Sequence, residues 1–481
     1  MTVSSAPTAA PRGSALSMAL RASVVLLFGL GFFALVAAVL LGCGGLAWAI
    51  VHSHHIPVKL LVVLVIVAGG LLWALIPRFE RWVPPGPHLR REHEPRFFAW
   101  LDRLGELTGQ KVPSEVYLLD DANAFVTARG GVFGIGSRRV MGVGLPFIQG
   151  MSQAELGAVI GHELGHFAGG DVLLGGLVYR LRRVILRVVA HMRESVLAVP
   201  FLAYAKAYLR ASAGISRRQE LAADRVSARV AGTDAACAAL SGAAGTALMH
   251  HAYLETEVLP LARVGVGVPI ASGWEIWARS DHASRLRLAL EASASRHEAE
   301  PYDTHPPTPE RIAALKARPE PGLLALGAAP ASALFDDLEA CARRVVAHVV
   351  PHALTPYRWE ETGGAVVLPI YRSVAAMHAQ AFAGLTLGDL GEQREALTAR
   401  LEGTHDGADH VTRTIGATIA VALVDRLAWS LVNRPGDPVR ARSASGSYEI
   451  DPLALAGELR APDVSGWRER RRREGLADLA L

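Results

Sequence analysis

The residues best placed to do chemistry sit in Gly161-His162-Glu163-Leu164-Gly165-His166-Phe167, a His-Glu-x-x-His pentapeptide. Residues four apart on a helix lie one above the other, so His162 and His166 can both turn a ring nitrogen toward one ion. Glu163, one position on, can reach a water held there and take its proton. Two imidazoles and a carboxylate at this spacing are the parts of a hydrolytic metal centre.

Such a centre needs a helix to carry it and a third protein ligand. Ser152 followed by Glu155 forms a capping box that starts the helix, and Gly169-Gly170 can close it. Leu156, Ile160, Leu164 and Phe167 recur at helical spacing and give it a face for the core. A catalytic zinc ion takes three protein ligands and leaves a fourth place for water. The best third candidate is Glu220, in Ser216-Arg217-Arg218-Gln219-Glu220-Leu221-Ala222-Ala223-Asp224. Ser216 and Gln219 read as a second capping box, which puts Glu220 in the first turn of a new helix. Asp224 falls one turn later on the same face, placed to accept a hydrogen bond from the far nitrogen of a ligating imidazole. Taken alone, the pair could be solvated charges facing Arg217 or Arg218. The upstream His-Glu-x-x-His is what makes Glu220 a ligand candidate.

Four features in this order carry a family resemblance: Asn123-Ala124-Phe125, the His162–His166 pentapeptide, Glu220-x-x-x-Asp224, and Thr304-His305-Pro306-Pro307-Thr308-Pro309-Glu310-Arg311-Ile312. Together, over roughly residues 92–320, the chain resembles the HtpX-type gluzincin metallopeptidases, a family that includes the CAAX prenyl proteases. The resemblance implies one zinc ion per chain on His162, His166 and Glu220, with Glu163 as catalytic acid and base and Asp224 steadying a ligand. His305 would stand near the cleft. Three roles stay open for it: steadying an oxyanion, capping the open metal position in a resting state, or anchoring the proline turn. Family members often carry further spans after the metal helix, and prenyl proteases carry several. This chain shows two, which sets it apart from a prenyl protease.

Those two spans come first in the chain. Residues 22–51 carry no charge, about 45 Å as helix, enough to cross a hydrocarbon layer of about 30 Å. Residues 58–76 carry only Lys59 and make about 28 Å of helix. A cleaved secretory leader is too short to account for the first run, and a second span follows it. Leu40-Leu41-Gly42-Cys43 has the look of a lipidation box, but apolar sequence continues past Cys43. Arg12 and Arg21 precede the pair, Arg78, Arg81, Arg90, Arg91 and Arg96 follow it, and only Lys59 lies between. The positive-inside rule then places both flanks in the cytoplasm. Residues 1–21 read as disordered, and Pro84-Pro85-Gly86-Pro87 as a stiff spacer.

Residues 94–109 read as a helix. Short strands follow at Val116–Leu119, Ala124–Thr127, Val132–Ile135 and Val140–Gly144, a small sheet whose edge can hold an extended peptide. Gly134-Ile135-Gly136 lacks the third glycine and downstream acid of a dinucleotide fingerprint. Val172 to Glu194 is a basic amphipathic helix with Arg180, Arg183 and Arg187, and Val196 to Tyr204 is apolar but interrupted by Pro200. The two either pack on the protease body or rest on the inner leaflet with arginines near lipid phosphates. Residues 333–349, 371–383 and 412–432 show helical periodicity, and Asn433-Arg434-Pro435-Gly436 reads as the stop of the last. Arg470 to Arg473 reads as a solvated helix face. His52, His54, His55, His250 and His251 show no ligand pattern.

Composition narrows the classes. A formal charge of +4 over 481 residues gives no nucleic-acid footprint. Three cysteines, Cys43, Cys237 and Cys341, form no C-x-x-C pair, so neither a disulfide framework nor a cysteine zinc site is expected. The basic residues are almost all arginine, which with much Ala and Gly points to a GC-rich bacterial genome.

The expected architecture is therefore α+β, mainly α. It comprises a disordered start (1–21), two transmembrane helices (22–77), a zincin-type domain with a small sheet (92–320) and a helical accessory domain (330–481). The resemblance and the anchor imply a multi-pass protein of a bacterial inner membrane, its partners the lipid bilayer and polypeptide substrates. It would be a zinc endopeptidase cutting misfolded or membrane proteins on the cytoplasmic side. The alternative is a membrane-anchored scaffold or chaperone-like binder whose zinc is structural.

Overall fold

The two apolar runs become the first two helices of the computed structural model, α1 (Arg12–Val51) and α2 (Val58–Leu75). The structure describes residues 12–53, 57–76, 82–130, 137–167, 172–192, 198–294, 306–324, 328–402 and 408–481. Helix α1 begins well ahead of the uncharged run, so part of the stretch expected to be irregular is helical; Ala15, Leu16, Met18, Ala19 and Leu20 are strong helix formers and outweigh the serines. Leu26–Val51 and Val58–Leu75 are long and apolar enough to cross a membrane, and only 22% and 11% of their most apolar windows are buried. The core helix of a water-soluble protein is mostly buried; this much bare apolar surface calls for lipid.

There follow β1 (His88–Leu89), α3 (Pro95–Thr108), β2 (Glu115–Leu119), β3 (Ala124–Arg129), β4 (Arg138–Gly144), α4 (Leu145–Gly150), α5 (Gln153–Gly165), α6 (Val172–His191) and α7 (Ala198–Ala231). The sheet order is β1-β2-β4-β3. β2 runs parallel to β4, while β3 pairs antiparallel with β4, Phe125 opposite Gly142. β3 is thus an edge, and β2 and β4 form the buried middle. The strand expected at Val132–Ile135 lies outside the described residues. Helix α3 buries Phe97, Phe98, Leu101 and Leu104, and ends at Gly109 in the left-handed region (φ 65°).

Two expectations fail at α7. Ser216 caps nothing, because the helix runs unbroken from Ala198 through Glu220 to Ala231. Gly214 costs a helix interior only about 1 kcal/mol, which packing on both halves of α7 outweighs. Pro200 does not interrupt the apolar run either. It sits in the first turn, where its missing N–H would have had no helical partner.

The described side chains of α6 and the start of α7 share a core with the two apolar helices. Ile185, Val188 and Met192 of α6, with Phe201, Ala205 and Tyr208 of α7, bury against Phe32 and Val36 of α1 and Leu71 and Ala74 of α2. The Tyr204 hydroxyl donates to the Phe28 carbonyl at 2.6 Å, over Gly31, where a Cβ would stand 2.4 Å from that oxygen. The pair packs on the two apolar helices.

By contacts the chain forms two compact units: Met1–Leu119, Asn123–Ala243 and Arg296–Asp336 in one, and Asp120–Ala122, Ala244–Ser295 and Asp337–Leu481 in the other. The second is mostly helical around Phe382, Leu390, Leu397, Ile419 and Leu423. In it the Glu339 carboxylate accepts the free N–H groups of Ile270 (2.7 Å) and Ala271 (2.9 Å), capping the Ile270–Ala278 helix. The expected 412–432 helix stops at Leu427. Ala428 turns the chain at φ 55°, and Ser430–Val432 joins an antiparallel sheet with Arg440–Arg442 and Glu449–Ile450. Arg471 is no solvated charge: it is buried, 4.6 Å over the Trp467 ring, and paired with Glu474 at 3.1 Å.

The crossing of α5 and α7 is set by small residues. A Cβ on Gly165 would stand 3.0 Å from the Ala223 Cα, and the Ser227 hydroxyl donates to the Ala158 carbonyl at 2.7 Å. Gly165→Val should force the helices apart at a cost of about 1–3 kcal/mol, a lower unfolding temperature accompanied by weaker metal binding. Wild-type values of both for the variant would show that the close crossing is not needed.

Candidate metal centre

Helix α5 starts as its sequence requires. Ser152 accepts the Glu155 N–H at 3.2 Å while Glu155 accepts the Ser152 N–H at 2.8 Å. Its last helical residue is Gly165, and His166 continues the turn, its N–H on the His162 carbonyl at 3.2 Å. The glycines expected to close this helix lie outside the described residues. Leu156, Ile160 and Leu164 are buried, which turns the opposite edge, with His162, Glu163 and His166, toward α7 and β3.

The structure brings the three proposed ligands together. Their donor atoms all lie within 4.8 Å of one another. His162 Nε2 is 3.2 Å from His166 Nε2 and 3.4 Å from Glu220 Oε2, and His166 Nε2 is 3.7 Å from Glu220 Oε1. Donors about 2.1 Å from a tetrahedral cation stand about 3.4 Å apart; the imidazole–imidazole edge fits such an ion, and the Glu220 carboxylate turns one oxygen toward each imidazole. Glu220 and His162 are the enclosed side of the triangle, with side chains 8% and 15% exposed; His166, at 32%, is the side open to solvent. Glu163 sits beside the edge strand, with its Oε2 accepting the Val126 N–H at 3.4 Å.

Asp224 lies behind the triangle, its Oδ1 3.0 Å from His162 Nδ1, the nitrogen facing away from the other donors. The sequence reading anticipated this contact. It did not anticipate Arg311, which donates from Nε to Asp224 Oδ2 at 2.8 Å and from Nη2 to Oδ1 at 2.5 Å. The same Nη2 is 3.7 Å from Glu220 Oε2. Arg311 comes from the Thr308–Lys316 helix, and its side chain is only 12% exposed. Its signal lies in the segment from Thr304 to Ile312, where sequence alone does not show which carboxylate an arginine will meet. His305 itself lies outside the described residues.

Charge explains the arrangement. Burial alone would lower the His162 pKa, but hydrogen bonds to Asp224 and Glu220 and the nearby Glu163 charge lift it to about 9 in the metal-free chain. Asp224 is pulled the opposite way: burial would raise it, yet the bonds from Arg311 and His162 hold it below the usual carboxylate range. The pocket therefore keeps a carboxylate charged at depth and gathers positive charge around it, Arg311 permanently and either a proton or a cation at the imidazoles.

Residues 100–319 match Peptidase family M48. Protease HtpX homolog 1 of Streptomyces coelicolor is 29% identical over 207 residues, 38% of this chain and 64% of the relative. Protease HtpX of Pseudomonas syringae pv. tomato is 25% identical over 275 residues, 52% and 82% of the two chains. Protease HtpX of Alkalilimnicola ehrlichii is 26% identical over 250 residues, 47% and 71%. The chain resembles an HtpX-like M48 metallopeptidase. The alignment spans less than two thirds of the Streptomyces relative, and the matched region ends before the C-terminal residues 320–481. No solved structure matches significantly.

In this HtpX-like region Arg311 holds Asp224, which in turn meets His162. Arg311→Met should lower metal affinity about tenfold or more by letting Asp224 and His162 turn, with Arg311→Lys intermediate because one ammonium cannot make both bonds. Chelator competition on the purified full chain measures it; equal affinity in all three proteins would remove Arg311 from the site.

Proposed function

We propose that the chain is a membrane-anchored zinc endopeptidase that hydrolyses peptide bonds of misfolded or membrane proteins on the cytoplasmic side. The observation that carries this reading is the convergence of His162, His166 and Glu220 beside Glu163, at the edge of a sheet. The donor set, two imidazoles and one carboxylate, suits zinc, which when bound would act as a Lewis acid toward the scissile carbonyl and water. Glu163 then takes the proton of the attacking water and passes it to the leaving amine. Asp224 and Arg311 hold His162 in one tautomer and one orientation. β3, an edge strand, would take an extended polypeptide by main-chain hydrogen bonds, which suits substrates chosen by exposed chain more than by sequence.

The cytoplasmic placement follows from the arginines that flank the two apolar helices and the lone Lys59 between them. A scaffold with a structural zinc would have no use for Glu163, set between the edge strand and the ligands.

Glu163→Gln in the full chain, purified in detergent, should keep one zinc per chain and lose cleavage of an unfolded protein. Turnover surviving that change would refute the assignment. A second outcome concerns pH. With His162 raised to about 9, its protonated pairing stabilises the metal-free chain fully below about pH 6.5, and that contribution is lost as pH climbs through 9. Zinc must displace that proton, so apparent affinity should climb about tenfold per pH unit from 7 to 9, with proton release on binding. Calorimetry in two buffers of different ionisation enthalpy reads this; a pH-independent affinity would contradict it.

A further inference from the structure

One partly buried cation on the ligand helix has no counter-charge. Arg217, Glu220, Asp224 and Ser227 fall within about 80° of one another around α7, on the face that packs against α5. Glu220, Asp224 and Ser227 are buried there, whereas Arg218, the chain neighbour of Arg217, is exposed. Arg217 itself is half-buried. Its Nε is covered by protein and makes no hydrogen bond, and its guanidinium forms no ion pair among the described residues. The carboxylates it could have met are taken. Glu220 faces His162, His166 and Arg311, and Asp224 faces His162 and Arg311.

An arginine stays charged when buried, so covered donors without a partner cost stability unless a ligand meets them. The place of Arg217 on the helix says which ligand. Helices α5 and α7 run antiparallel at their crossing: Ala158 meets Ser227, Gly165 meets Ala223, and His166 meets Glu220. One turn before Glu220, about 4.5 Å along the axis, Arg217 continues that march past the end of α5. This is the side of the ligand triangle that His166 leaves open to solvent. A peptide bond approaching the ligands and Glu163 has to come from there.

We propose that Arg217 is a catalytic residue that binds the oxygen of the scissile carbonyl as negative charge develops on it. The inference rests on the peptidase reading above and adds a residue to that site. As the water oxygen bonds to the carbonyl carbon, its proton goes to Glu163 and the carbonyl π pair moves onto oxygen, beside the guanidinium. When the C–N bond breaks, that pair re-forms the double bond and Glu163 gives the proton to the departing nitrogen. The unpaired cation is thus complementary to the transition state and not to the resting chain.

The test measures kcat and KM on a fluorogenic casein-derived peptide with the full chain in detergent, comparing the parent, Arg217→Met and Arg217→Lys. Zinc content and unfolding temperature are taken on the same preparations. Arg217→Met should keep one zinc per chain, hold KM within about twofold and lower kcat about a hundredfold, with part of the loss recovered in Arg217→Lys. The metal-free Arg217→Met chain should unfold at the parent's temperature or above, because an unpaired charge has been removed. A phosphinic peptide that mimics the tetrahedral intermediate should lose affinity in step with kcat/KM. A raised KM with kcat unchanged, loss of zinc, or a lower unfolding temperature in both variants would overturn the proposal. Undiminished cleavage by Arg217→Met beside an active parent would remove this role alone. A parent chain that holds zinc and cleaves neither casein nor the peptide would remove the peptidase reading and this role with it.

Discussion

Everything at the metal centre depends on how closely α5 and α7 cross. The pentapeptide can supply two imidazoles from one helix, but the third donor is some 55 positions further on and has to be delivered by another. Glycine at 165 and alanine at 223 allow backbone to meet backbone there, and Glu220, one turn before Ala223, arrives within hydrogen-bonding range of His162. A larger residue at either place would leave three good ligands too far apart to share an ion.

Behind the ligands stands a short chain of charge, Arg311 to Asp224 to His162. Each link offsets the desolvation of the next: an arginine that stays charged when buried keeps the carboxylate ionised, and the carboxylate aims the imidazole. Removing the middle of such a chain leaves two buried groups without their counter-charge, so the arrangement holds as a unit. It also ties the Thr308–Lys316 helix to the centre, which accounts for the distance in sequence between the pentapeptide and the proline-rich segment that accompanies it.

Much of this was legible beforehand. Four-residue spacing and a capping box place His162, Glu163 and His166, and long uncharged runs place α1 and α2. Chemistry alone picks out Glu220 and Asp224, but not their local structure: a Ser-x-x-Gln pattern has the same appearance inside a helix as at its start. Pro200 reads as a break because sequence does not say whether a proline falls in a first turn or an interior. Arg311 is not legible because the carboxylate that receives it, Asp224, is 87 positions away. Arg471 meets Trp467 and Glu474 within one helical turn, but a run of four arginines does not show which one the fold buries. Ser430–Val432 continued a helical period by coincidence; its pairing with Arg440–Arg442 decided otherwise.

The most direct test is X-ray absorption at the zinc edge on the purified full chain carrying one equivalent of metal. The account predicts four nitrogen or oxygen donors at about 2.0–2.1 Å, two of them with the outer-shell scattering of imidazole, and a changed coordination shell in Glu220→Ala. Sulfur donors, six-fold coordination, or a spectrum that Glu220→Ala leaves unaltered would contradict it.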